Sequence, residues 1–103
     1  MQSLAKPPKI KPGDRIATVT PSWGGAGKMP WRYEAGKRQL EDEFNVEVVE
    51  MPHTLASPDW IAANPKARAQ DLMDAFADPA IKGIIATLGG DDSIRLIPYL
   101  AWM

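Results

Sequence analysis

The stretch Ile84-Ile85-Ala86-Thr87-Leu88-Gly89-Gly90-Asp91-Asp92-Ser93-Ile94-Arg95-Leu96-Ile97-Pro98-Tyr99-Leu100 decides how the rest of the chain is read. An apolar run enters two glycines and two aspartates. Ser93 follows, and then a short apolar-periodic segment. The pattern is strand, tight turn, helix. It predicts a strand over Ile81 to Leu88 and a helix at about 94–100.

Working back from that strand, Asp78-Pro79 stops a helix predicted at about 65–77, with Ala69, Leu72, Met73 and Phe76 as its buried stripe. Asn64 is placed to cap it, with Pro65 at the first helical position. Pro52 to Asn64 reads as a long connection carrying His53 and Trp60. Before it, Val46 to Met51 is a strand. A helix at about 30–44 begins on Pro30, places Tyr33, Lys37, Leu40 and Phe44 at helical spacing, and stops at Asn45. Pro21 to Met29 is a loop with three glycines, and Arg15 to Thr20 is the first strand. Residues 1–14 form a tail and a Pro12-Gly13-Asp14 turn.

The order is strand, helix, strand, helix, strand, turn, helix. Such alternation implies right-handed crossovers and a mostly parallel sheet. The expected fold is α/β, a flavodoxin-like three-layer domain over residues 1–103, with a strand-turn-helix elbow. Ligands of such sheets bind at the carboxyl ends of the strands. Both Pro21–Met29 and Gly89–Ser93 fall there, and they face each other if the first and third strands are neighbours.

Bulk composition narrows the partners. With 45% apolar and 24% charged residues and a formal net charge of −1, there is no electrostatic case for nucleic acid or an anionic membrane. The chain has no cysteine, which removes disulfides and thiolate metal sites. No apolar run approaches the ~20 residues of a membrane span. Met1-Gln2-Ser3-Leu4-Ala5-Lys6 lacks the apolar core of a secretory signal. The expected location is cytoplasmic.

Pattern alone leaves Ser93 with two readings. Asp92 or Ser93 could simply cap the following helix. Alternatively Ser93 is a nucleophile at a helix N-terminus, where free N–H groups favour a developing oxyanion and Gly89 and Gly90 let backbone approach a substrate. The surroundings are not the G-x-S-x-G elbow, because Asp91 and Arg95 stand at the glycine positions. His53 is the single histidine and reads as a surface residue. Arg68 and Asp71 read as a solvated or structural pair. Trp23 to Lys28 misses the phosphate-loop pattern, with Ser22 in place of Gly and Met29 in place of Ser or Thr, and reads as a flexible loop beside a site. Asp91-Asp92 as a Mg²⁺ site is the weaker reading; no metal and no cofactor are expected.

Lys11-Pro12-Gly13-Asp14-Arg15-Ile16-Ala17 and Thr20-Pro21-Ser22-Trp23 resemble the opening of the LD-carboxypeptidase family of serine peptidases. Arg32-Tyr33-Glu34-Ala35-Gly36 is similar to its first helix. Met51-Pro52-His53-Thr54-Leu55-Ala56-Ser57-Pro58-Asp59-Trp60 and Asn64-Pro65-Lys66-Ala67-Arg68-Ala69-Gln70-Asp71-Leu72 resemble its microcin-immunity branch. Ala75-Phe76-Ala77-Asp78-Pro79 and the run from Gly89 to Leu100 continue the likeness in collinear order.

The resemblance implies that Ser93 is the nucleophile of a Ser-Glu-His triad needing no metal. It implies an oxyanion and substrate loop of Gly89, Gly90, Asp91, Asp92 and Ile94, faced by a substrate-side loop of Pro21, Ser22 and Trp23. The implied substrate is a peptide or peptidyl-nucleotide, cut at an amide next to a free carboxylate: the L–D bond of a murein tetrapeptide, or a microcin-type conjugate. The family's Glu and His belong to a C-terminal domain, and its members form homodimers. This chain stops ten residues past Ser93. The expectation is therefore a nucleophile-bearing N-terminal domain, inactive by itself. The rival is a non-catalytic binding or regulatory module that keeps only the α/β fold.

Overall fold

The structure, a computed structural model, describes residues 9–88 and 90–100. Residues 1–8 of the tail, Gly89 and residues 101–103 lie outside the described part. In chain order the elements are β1 (Arg15–Val19), α1 (Gly25–Lys28), α2 (Pro30–Phe44), β2 (Glu47–Glu50), α3 (Pro58–Ala63), α4 (Pro65–Ala77), β3 (Ile81–Ala86) and a 3₁₀ helix (Asp91–Tyr99).

The strands form one sheet in the order β2-β1-β3, parallel throughout. β1 is central, so the chain crosses first to one side of it and then to the other. Right-handed crossovers then put α2 and α4 on opposite faces. Period-2 alternation along β1 supplies both faces. Ile16 packs with Val46, Val48 and Leu40 beneath α2. Ala17 and Val19 pack with Ala75, Leu72 and Ile84 beneath α4. The three-layer α/β expectation holds, and β1 and β3 are neighbours.

The two long helices have the expected bounds. Asn45 ends α2 in the left-handed conformation, φ 56°, and its carbonyl accepts from the Gly13 N–H at 2.7 Å. Other expectations are corrected. The loop from Pro21 to Met29 contains α1, and the Pro52–Asn64 connection contains α3, capped by Ser57. Both helices are too short for apolar periodicity to show in sequence. Asn64 does not cap α4 with its side chain, whose amide nitrogen instead donates to the Trp60 carbonyl at 2.7 Å. Phe76 is 74% exposed, and Phe44 is 59% exposed. The buried stripe of α4 is Arg68, Ala69, Asp71 and Ala75. Alanines at two of these positions let the helix lie close to the sheet, and Phe76, a further 100° round, points away.

The segment after β3 winds as a 3₁₀ helix from Asp91, not an α-helix from residue 94. Pro98 lies inside it and has no N–H to give; in an α-helix its ring would meet the carbonyl four residues back. Leu96, 2% exposed, anchors the helix, which packs on α4.

Candidate active site

The carboxyl ends of β1 and β3 meet through side chains the sequence places far apart. Thr20 Oγ1 donates to the Thr54 carbonyl at 2.7 Å and lies 3.0 Å from Thr87 Oγ1. Thr54 Oγ1 donates to the Thr18 carbonyl at 2.6 Å. These threonines stitch the loops after β1, β2 and β3 together. The Thr87 N–H continues the ladder to the Val19 carbonyl at 2.9 Å. The chain thus reaches the turn with its direction fixed.

Gly90 has φ +146°, a conformation that only glycine adopts without strain. Its carbonyl accepts from Ser22 Oγ at 3.1 Å. Ser22 is buried, so this bond holds the turn against the loop after β1. The two loops do face each other. Ser93 follows as the third residue of the 3₁₀ helix and is exposed. Its hydroxyl makes no hydrogen bond to a described residue. Neither Asp92 nor Ser93 caps the helix; the cap position is Gly90, with no side-chain bond. The helix begins at Asp91, so both lie inside it. The Asp92 carboxylate lies 2.9 Å from Arg68 Nη2 and 3.4 Å from Arg95 Nη1.

Arg68 is the residue that the sequence reading missed. It does not pair with Asp71 and is not solvated. Its side chain is 0% exposed. Nη1 donates to the Pro21 carbonyl at 2.9 Å and to the Ser22 carbonyl at 3.1 Å. Asp71, one turn on, is also buried and binds His53 instead. The His53 N–H donates to Asp71 Oδ2 at 2.9 Å, and His53 Nδ1 lies 2.8 Å from Oδ1. A carboxylate only accepts, so this contact puts the ring proton on Nδ1. The His53 ring stacks on Trp60, with centroids 4.7 Å apart. His53 is therefore a tethered residue and not a free surface one. The signal was two opposite charges three apart on the core face of a helix. Without the tertiary partners, that spacing reads equally as an exposed pair.

Ile94 is 68% exposed, and Asp91 opens the 3₁₀ helix. Trp23 is half exposed, with Lys28 Nζ 5.8 Å from its ring centroid. Gly89 lies outside the described residues. A cleft of about 400 Å³ opens between α2 and β3, lined by Tyr33, Lys37, Leu40, Ile85 and Leu88 among others. Neither Asp92 nor Ser93 lines it. Its polar edge is a pair of coupled groups. Burial pushes the Tyr33 phenol up to about 12, although its bond with Thr18 Oγ1 at 2.9 Å opposes this. Lys37 Nζ donates to Glu50 Oε1 at 2.9 Å, which raises the Lys37 pKa. Burial pulls the Glu50 carboxyl upward, but the bond from Lys37 prevails and holds it below the usual range. Among the described residues, no cluster of three or more His, Asp or Glu side chains offers a metal site, and no helix is long and apolar enough to cross a membrane.

The LD-carboxypeptidase N-terminal domain family matches residues 16–103. A Streptomyces coelicolor protein that carries a carboxypeptidase name is 33% identical over 99% of this chain and 33% of its own length. The chain thus spans about a third of that relative. Among solved structures, an MccF-like protein from Streptococcus pneumoniae in complex with AMP is 36% identical, with a TM-score of 0.79 over 84% of this chain and 26% of its own. The microcin C7 self immunity protein MccF is 25% identical with a TM-score of 0.75, covering 97% of this chain and 29% of its own. It has been solved with aspartyl sulfamoyl adenosine and as an active-site mutant in which one of three replaced residues is a serine.

Proposed function

The chain belongs to the LD-carboxypeptidase N-terminal domain family of peptidases, and from that premise we propose that it is the nucleophile-bearing domain of a serine peptidase, with Ser93 as the nucleophile. The observation that carries the reading is the mounting of Ser93. It is exposed, it follows the glycine turn, and that turn is held against the Pro21–Trp23 loop by the Ser22–Gly90 bond. This is the carboxyl end of the central strand pair, where α/β sheets bind ligands.

In the proposed reaction, Ser93 Oγ attacks the carbonyl carbon of an amide next to a free carboxylate. A base takes the hydroxyl proton and returns it to the leaving nitrogen as the C–N bond breaks. Water then hydrolyses the acyl-serine. In this reading the backbone of Gly90, Asp91, Asp92 and Ile94 faces the oxyanion, and Pro21, Ser22 and Trp23 form the opposite wall. Among the described residues no histidine or glutamate is bonded to Ser93, and His53 is committed to Asp71. The base and its orienting acid therefore come from a second domain, and the chain alone is inactive. The solved neighbours hold AMP and an aspartyl sulfamoyl adenosine, which favours a peptidyl-nucleotide substrate over a murein tetrapeptide. A cytoplasmic homodimer completes the reading.

The test joins the chain to the remaining two-thirds of a relative and offers both substrates. Hydrolysis by the joined protein, none by the chain alone, and loss of turnover with Ser93→Ala are expected. Turnover indifferent to Ser93→Ala would overturn the assignment.

A further inference from the structure

We propose that Arg68 is a positioning residue for the Ser93 turn, clamping it to the loop after β1 and neutralising the carboxylate beside it. The inference rests on the reading of Ser93 as nucleophile.

Three observations carry it. The Arg68 side chain is fully buried, although a guanidinium loses much hydration there and an apolar side chain would fill the space. Among the described residues its polar side-chain contacts go to the two loops that meet at Ser93: the Pro21 and Ser22 carbonyls from Nη1, and the Asp92 carboxylate from Nη2. Among the described residues neither Nε nor Nη2 has a partner with hydrogen-bond geometry, so Nη2 and Asp92 meet at 2.9 Å as charges and off the bond axis. A residue kept for stability alone would have its donors filled. Arg68 is arranged instead to place a positive charge beside Asp92.

Asp92 is bonded in sequence to Ser93. Its unpaired charge would oppose negative charge developing on Ser93 Oγ. Arg95 Nη1 also faces Asp92, but at 3.4 Å, nearly half exposed, and sharing its donor with the Ala62 carbonyl at 3.0 Å. Water screens that pair far more than the buried one. Arg68 therefore sets the charge felt at position 93 while holding the backbone in register.

The chain contains no cysteine, so Ser93→Cys gives it a single thiol. Only the thiolate is alkylated, and the pH profile of the iodoacetamide rate gives its midpoint without any hydrolysis. In that background Arg68→Met leaves Asp92 uncompensated and should raise the midpoint by about half a pH unit or more. Asp92→Asn should lower it. The two together should return it close to the Ser93→Cys parent. Looser packing alone does not give opposite signs at the two ends of one ion pair. Far-UV circular dichroism checks that each variant is folded. If Arg68→Met does not fold, Asp92→Asn, at a partly exposed position, decides alone. A midpoint unmoved by Asp92→Asn, or shifted the same way by both changes, overturns the clamp. Because no peptide bond is cut, that failure is separable from failure of the nucleophile reading, which Ser93→Ala tests in the hydrolysis assay.

Discussion

Asp71 grips His53 at two points, backbone N–H at 2.9 Å and ring Nδ1 at 2.8 Å, while Arg68 one turn earlier grips the loops after β1 and β3. One face of α4 thus ties down the loops that follow all three strands. The helix covers the sheet and also organises its functional rim.

The buried threonines should be as important as the hydrophobic core. Thr54 is 0% exposed; its hydroxyl donates to the Thr18 carbonyl of β1, and its own carbonyl accepts from Thr20. Thr54→Val keeps the shape but leaves Thr18 without that donor. A loss of about 1–2 kcal/mol in urea unfolding is expected, with the denaturant slope unchanged.

Gly24, which precedes α1, and Gly27 within it are steric requirements. A Cβ on Gly24 would sit 2.6 Å from Pro58 Cα, and one on Gly27 would collide with the Ala56 carbonyl oxygen. Backbone atoms cannot swing aside as a side chain can. Gly27→Ala should destabilise the chain by about 1–3 kcal/mol in the same measurement, despite alanine's better helix propensity.

Two apolar residues of α3 and α4 should behave in opposite ways. Phe76 is exposed, so Phe76→Ser should change stability by less than about 0.5 kcal/mol and reduce self-association in light scattering. Ile61 is 1% exposed, so Ile61→Ala should cost about 2–4 kcal/mol in urea unfolding.

Stability should fall at both ends of the pH scale through the Tyr33–Lys37–Glu50 group. Glu50 is held below its ordinary value of 4.5 when folded, so its contribution is present above that value and is lost as pH falls through the folded pKa. Tyr33 rises from 10.0 to about 12 on folding, so its contribution is present below about 10 and is lost as pH rises towards 12. Lys37 is also raised and acts in the same alkaline direction. Urea midpoints across pH should show both limbs. Glu50→Gln should flatten the acid limb, and Tyr33→Phe the alkaline one.

From the amino-acid order alone come the three-layer plan, the two long helices and the family; that the loops after β1 and β3 face each other waited on the strand order β2-β1-β3. The first three follow from signals local in the chain: apolar runs, helical spacing, prolines at helix starts and a glycine turn. The sequence also marked Ser93, by its place in a collinear motif. Only the tertiary structure decided what α4 buries and where its charges go. Arg68 and Asp71 looked like a pair because they are three apart, yet each binds loops 18 to 47 residues away. The short helices α1 and α3 were equally hidden, since each is too short to show apolar periodicity and they meet through close backbone approaches at Gly24 and Gly27. Desolvation explains the rest. A charge on the core face can be buried only if distant parts of the chain supply its partners, and no local pattern records which parts those are.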